Sequence, residues 1–313
     1  MRAEKLKIDT AATSTEAGEP DTQHRSGSTP APTDTQISTQ TDQQKSTSAW
    51  RKWLRHNAGR ILVRTLAVMA ALVLWHLAAT QQWNWILNFE NVPTPLQVGQ
   101  EFLLQLHNPT FYKHIGVSLE RILIGYVLAA FSGILLGVLM GRYALVEDIF
   151  IPYIEILRPI PAVAWIPLAI LILPTEESSI IFITYLGALF PIVINTLHGV
   201  EQTPATLIRA ARSFGASDRA ILWHVVIPGA MPSIVAGLAI GMGVSWFSLL
   251  AGEIISGQYG IGYFTWAAYT LVEYPRIIIG MLVIGALGTF STAVVKLLTL
   301  PLLRWQNHKE PKA

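Results

Sequence analysis

The chain has 313 residues, 51% of them hydrophobic and 13% charged, with a formal net charge of +2 and no cysteine. Without cysteine, disulfides and thiolate metal sites are excluded. The net charge says little about partners, but its placement says more: the charges crowd at the ends and in a few loops, leaving apolar runs of roughly 20 residues that can cross a bilayer.

Residues 1–49 are rich in Thr, Ser, Gln and Pro and nearly free of large apolar side chains. Such a segment cannot bury enough surface to offset its ordering entropy, and it lacks the apolar core of a signal peptide. It reads as a disordered cytoplasmic tail. A basic, aromatic patch follows: Trp50, Arg51, Lys52, Trp53, Arg55, Arg60 and Arg64. Headgroup-level tryptophans and cytoplasmic cations are what orient a first span.

Membrane spans are expected near 61–80, 116–140, 148–173, 179–200, 226–251 and 275–302, giving an all-α membrane protein of about six helices with both termini cytoplasmic. The expected divisions are the tail at 1–49, the first span and outer connection at 50–113, a transmembrane core at 114–303 and a C-terminal cytoplasmic tail at 304–313. The loops agree with this orientation. Inner segments carry Arg142, Arg209, Arg212, Arg219, Arg304, Lys309 and Lys312. Outer ones carry mainly Glu90, Glu101, Glu176, Glu177 and Glu273, with Lys113 and Arg276 as exceptions.

Within the spans Gly133, Gly137 and Gly141, and again Gly237 and Gly241, stand four apart, a spacing that lets helix backbones approach closely. The third span reads Glu155-Ile-Leu-Arg158-Pro159-Ile-Pro161-Ala-Val-Ala-Trp165-Ile-Pro167. Its prolines must kink or break the helix, and backbone freed at that depth needs protein or a water-filled cavity to satisfy it. Glu155 and Arg158 lie one turn apart and can pair; they read as an inner gate, a cavity-lining site or a snorkelling pair.

Between the fourth and fifth spans lies a short polar helix. Pro204 can start it and Gly215 is well placed to end it. Leu207, Ile208, Ala211 and Phe214 fall on one side, while Arg209, Arg212 and Arg219 supply charge. Such a segment either lies on the headgroups or presents an apolar knob to a soluble partner. Near the end of the fifth span stand Ser245, Trp246 and Glu253. Gly257, Gly260 and Gly262 then form a tight re-entrant turn near the outer face rather than a phosphate loop, because no strand precedes them and no Walker lysine follows. Glu253 either faces a pathway or caps this turn.

The remaining polar residues point to no other chemistry. His76, His198 and His224 have no partner at metal-ligand spacing, Lys296 is placed to snorkel, and no nucleophile–base cluster, P-loop or nucleic-acid motif occurs. No metal or cofactor site is expected on this chain, and no nucleic-acid partner.

Two patterns resemble ABC importer permeases. Ala210, Ala211, Gly215, Val225, Ile227 and Pro228 fit the spacing of that family's Glu-Ala-Ala loop, with Arg209 in place of its Glu. Arg158, Pro159, Pro161, Ala164, Trp165, Pro167 and Leu168 resemble a segment of the nitrate/sulfonate/taurine/bicarbonate branch, as does the run from Ser245-Trp246 through Ala251-Gly-Glu253 to Tyr259-Gly-Ile-Gly-Tyr-Phe-Thr-Trp266. The acidic residue that usually follows that Trp is replaced by Ala267. The resemblance covers about residues 90–303. It implies a multi-pass permease of a bacterial inner membrane, moving a small anion of nitrate, bicarbonate or sulfonate/taurine type. A coupling helix formed by Arg209, Ala210, Ala211, Arg212, Phe214 and Gly215 would contact ABC ATPase subunits. It further implies ATP and Mg on those partners rather than on this chain, a periplasmic or lipid-anchored solute-binding protein, and a second permease copy or homologue.

Overall fold

A computed structural model describes residues 58–60, 62–84 and 88–307. The expected tail, the patch from Trp50 to Arg55, and Lys309 and Lys312 lie outside the described residues. Two units are delimited, Met1–Met69 and Ala70–Ala313. The described part of the first belongs to helix α1, Ala58–Thr80, where Leu62, Val63 and Leu66 are exposed, as on a helix that is apolar all round.

The second unit is helical throughout, with no strand among the described residues. It comprises α2 (Pro95–Gln105), α3 (Pro109–Arg142), α4 (Ala144–Leu157), a 3-10 turn (Ala162–Trp165) leading into α5 (Ile166–Ile172), α6 (Glu176–Glu201), α7 (Ala205–Ser213), α8 (Asp218–Ile221), a π turn (Leu222–Val226), α9 (Ile227–Ser256), α10 (Ile261–Thr270), α11 (Tyr274–Thr299) and a closing 3-10 segment (Leu300–Asn307). The starts follow from local chemistry. Thr94 and Thr175 close capping boxes with Gln97 and Ser178, and the Asn108 side chain accepts from the Thr110 N–H just before Pro109.

Among the described residues five helices are long and apolar enough to cross a membrane: Ala58–Thr80, Pro109–Arg142, Glu176–Glu201, Asp218–Ile255 and Tyr274–Leu303. The expected third span differs from the rest. Its two halves, Ala144–Leu157 and Ala162–Ile172, meet at 90°, so they make a sixth span only if the bent pair counts as one. The break falls at Arg158–Pro161, where each proline lacks a helical N–H. The fifth span begins earlier than expected, at Asp218. The π turn just ahead of Pro228 absorbs the hydrogen bond that proline cannot donate, letting the helix run on.

Helix α6 is the centre of the bundle, packed between α3 and α9. The glycine stripe of α3 makes this possible: a Cβ at Gly133, Gly137 or Gly141 would lie 2.9, 2.6 and 2.7 Å from Ile192, Thr196 and Val200 of α6. On the other side Gly237 of α9 sits equally close to Asn195. These glycines serve packing inside one chain. Around them Ile122, Tyr126, Ala188, Ile192, Met242, Trp246 and Leu249 form the largest buried cluster.

Candidate functional site

The break in the third span opens onto a cleft of ≈ 360 Å³. One wall is the break itself, Arg158, Ile160, Pro161, Ala162 and Trp165. The second comes from α6, including Gly187, Phe190, Pro191 and Asn195, and the third from Ile240 and Val244 of α9. No carboxylate lines it. Arg158 is exposed, and among the described residues no ion pair involves it or Glu155. The pairing that the one-turn spacing allows is thus not made. Arg158 follows the last residue of α4 and belongs to the lining of the cleft.

The other expected pathway residues separate. Pro161 and Trp165 line the cleft, whereas Glu155 and Pro159 are exposed outside it. Ser245 is buried, its hydroxyl donating to the Thr184 carbonyl at 3.2 Å, and the Trp246 indole donates to Ser291 Oγ at 2.7 Å. These two tie α9 to α6 and α11. Asn195 escaped the sequence reading, although an amide four residues after a proline inside an apolar run was the available signal; its Nδ2 donates to the Pro191 carbonyl at 2.8 Å.

Glu253 has a different setting. It is fully buried, and its Oε1 accepts from Ser118 Oγ (2.7 Å) and Arg121 Nη1 (3.1 Å) while its Oε2 accepts from the Gly262 N–H (2.9 Å). Arg121 also holds Glu177 through two parallel bonds of 2.7 and 2.6 Å and donates to the Tyr259 carbonyl at 2.6 Å. Ser118 Oγ accepts from Ile261 N, and His114 Nδ1 accepts from Gly260 N. The carboxylate therefore holds the turn between α9 and α10, and α3 supplies the clasp. The three glycines are explained by the same group: side chains at Gly257, Gly260 and Gly262 would all collide with Glu253 or the backbone beside it. Helix α10 has ten residues, about 15 Å, too short to span. Arg121, a lone cation inside an apolar run, was the overlooked sequence signal.

On the polar loop, α7 ends in a Schellman motif: Gly215 N–H bonds the Arg212 carbonyl, Ala216 N–H bonds the Ala211 carbonyl, and Gly215 sits at φ +79°. Ile208 and Ala211 pack inward beside Val200, Ile221 and Val226. Leu207 and Phe214 do not; Phe214 is 92% exposed. The apolar stripe expected along one side is thus divided between the body of the protein and solvent. Asp218 bridges Arg142 (3.2 Å) and Arg212 (3.3 Å), which ties the loop to the end of α3. Arg209 is exposed and joins none of these pairs.

A helical bundle with a broken span and a short capped loop helix describes many transporters, so the comparison with known proteins decides the family. Residues 133–309, more than half the chain, match the binding-protein-dependent transport system inner membrane component family. The chain belongs to that family. The permease is 34% identical over 264 residues to the taurine transport system permease protein TauC of Escherichia coli, covering 82% of this chain and 94% of that one. It is 33% identical over 238 residues to the nitrate import permease protein NrtB of a Synechocystis species, covering 73% and 84%. It is 43% identical over 173 residues to a Methanocaldococcus jannaschii chain named only as an ABC transporter permease, covering 55% of this chain and 65% of that one. The permease is thus a type I ABC importer component of the nitrate/sulfonate/taurine branch, a multi-pass protein of an inner membrane.

Proposed function

We propose that the permease moves a small anion, of the nitrate, bicarbonate or sulfonate/taurine class, through the cleft at the broken span, driven by ATP hydrolysed on partner subunits. The observation that carries this reading is Arg158, a cationic residue in the lining of a cleft that no carboxylate lines, at a break within an apolar span. An ionisable group so placed marks a substrate pathway more often than a packing contact, and its charge, which no ion pair neutralises among the described residues, favours an anion.

Phe214 and Leu207 are the contacts offered to an ATPase subunit on the cytoplasmic side. The inward-packed Ile208 and Ala211 anchor α7 to the start of the fifth span, so a push on the loop reaches α9. Two copies, or this chain with a homologue, would enclose the pathway. A periplasmic or lipid-anchored binding protein would deliver substrate to the outer face, where the Arg121–Glu253 clasp stiffens the α9–α10 turn. ATP and Mg belong to the ATPase partners.

The test is purification of the tagged permease from gently solubilised native membranes, followed by identification of what accompanies it. Recovery of an ATPase and a solute-binding protein, with ATP-dependent uptake of nitrate or taurine that Arg158→Gln lowers at least tenfold, is expected. A chain that purifies alone and moves solute in liposomes without ATP refutes the reading.

A further inference from the structure

Helices α9 and α11 border a second groove, of ≈ 490 Å³. It is separate from the cleft at the broken span: α9 gives Ile240 and Val244 to the cleft but Gly243 and Trp246 to this groove. On α11 the lining includes Gly285, Gly288, Thr292 and Lys296, which are three or four residues apart and so share one helix face. Trp246 is buried, its indole fixed by the bond to Ser291 that ties the two helices together.

The glycines here differ from those between α3 and α6. A Cβ at Gly243 or Gly285 would meet nothing within 4 Å, and one at Gly288 nothing nearer than Trp246 at 3.7 Å. No contact inside the chain requires them, yet they keep a trough open, and Gly243, Gly285 and Lys296 are all exposed. Both bordering helices are long and apolar enough to cross a membrane. A trough open to hydrocarbon is filled by a lipid chain or by another helix, because a void forfeits dispersion contacts.

Charge decides between the two. Lys296 is the charged residue in the lining, and among the described residues it joins no ion pair. It stands about 10 Å of helix rise from the end of the span at Leu303. A lysine there lays its apolar stem along the helix and brings its ammonium to the headgroups, and a basic groove between spanning helices suits an anionic lipid. A second copy fits less well. Grooves facing each other across a two-fold axis along the membrane normal would set Lys296 against its own counterpart at the same depth. From Gly285 to Lys296 the helix rises about 16 Å, close to half of a hydrocarbon core of about 30 Å, so an acyl chain of one leaflet matches the trough in length.

We propose that the α9–α11 groove binds an anionic phospholipid, with its phosphate at Lys296 and an acyl chain running past Gly288 and Gly285 toward the middle of the bilayer. The site is additional to the transport reading; only its assignment to the cytoplasmic leaflet rests on the proposed orientation.

The full-length permease, with Phe290→Cys as its single cysteine, carries a fluorophore at that position, which is exposed on α11. It is embedded in phosphatidylcholine nanodiscs that contain a minor fraction of phosphatidylglycerol or phosphatidylcholine bearing a nitroxide on the acyl chain, and quenching reports which lipid lies beside the label. Phosphatidylglycerol is expected to be enriched about fivefold, the factor that one lysine at a membrane surface supplies. The enrichment should persist in Lys296→Arg, disappear in Lys296→Gln, and disappear in Gly285→Leu, which fills the trough without meeting an obstacle. A label at Phe131→Cys, exposed on α3, should show no preference. Equal quenching by the two lipids, an enrichment that survives Lys296→Gln or Gly285→Leu, or one of the same size at Phe131→Cys overturns the site. Quenching by neither lipid gives the groove to a second copy, and loss of the enrichment on adding sodium methyl phosphate gives Lys296 to a soluble anion; each also overturns it.

Discussion

Glycine carries opposite meanings at two positions in helix α9 and the turn that follows it. Gly260 has φ +122°, and a Cβ there would land on the Glu253 carboxyl group. Gly243 has nothing within 4 Å of its Cβ position. Gly260→Ala therefore combines a strained backbone with displacement of a buried carboxylate that bonds Ser118, Arg121 and Gly262, and is expected to cost at least about 2 kcal/mol. Gly243→Ala gains helix propensity on the order of 1 kcal/mol and meets no obstacle. Thermal unfolding in detergent checks the contrast: the first variant melts well below the parent and the second at or above it. Arg121 explains why the clasp tolerates burial. Two carboxylates and a backbone carbonyl use its fixed fork of donors. Removing one partner from such a set leaves an uncompensated buried charge, the expensive case for ionic groups out of water.

Two elements depend on how their ends are held. In α7 the Gly215 site is spatially open, so what a substitution violates is the left-handed backbone of the Schellman motif, not packing. Gly215→Val is expected to fray the last turn bearing Arg212 and Phe214, lowering substrate-stimulated ATPase activity several-fold while membrane insertion and yield stay at parental levels. Gly215→Asn, which tolerates that backbone better, should retain most of it. An equal loss of folded protein in both variants would count against this account. Helix α2 is held to α11 by Arg276, whose Nε donates to Glu101 at 2.8 Å while Nη1 holds Glu273. The Arg276 and Gln105 hydrogen bonds keep the Glu101 carboxyl below its ordinary value of 4.5. A lowered folded-state value means the clamp contributes fully above the unfolded value and is lost as pH falls through the lowered one. The melting-temperature gap between the parent and Glu101→Gln should be constant at neutral pH and close below about pH 4. Because both groups are partly exposed, screening keeps it small.

At the scale of the whole molecule, the proposed reading puts α7 in the cytoplasm and the α9–α10 turn outside, as the charge asymmetry of the loops predicts. The absence of cysteine from the sequence makes this directly testable. A single Ser213→Cys should react with an impermeant maleimide only in inverted vesicles, and Thr270→Cys only in intact cells or spheroplasts. The reverse pattern would turn the protein over and remove the ATPase from Phe214. In the membrane, α3 at 34 residues is about 51 Å long, longer than a hydrocarbon core of about 30 Å. Part of it must therefore tilt or extend beyond the hydrocarbon core, and at its C-terminal end Arg142 meets Asp218, where the loop joins the fifth span. That salt bridge ties the junction of the loop and the fifth span to α3.

Much of this was written in the sequence because it depends on local or one-dimensional physics. Apolar runs long enough to cross a bilayer, prolines between Arg158 and Pro167, a helix end at Gly215, and a basic loop bearing Phe214 each act through their immediate neighbours. The order of those motifs was sufficient to recognise the family. Convergence was not legible in the sequence. Ser245, Trp246 and Glu253 look like pathway residues in an apolar run, yet which way a helix face turns is set by partners over forty residues away: Thr184, Ser291, Ser118 and Arg121. Only the bundle shows that Glu253 is consumed by a turn while Arg158, without an ion pair among the described residues, lines one cleft with Trp165 and Asn195. Periodicity places a side chain around its own helix axis, but the rotation of one helix against the next is decided by packing, here by glycines that admit Ile192, Thr196 and Val200.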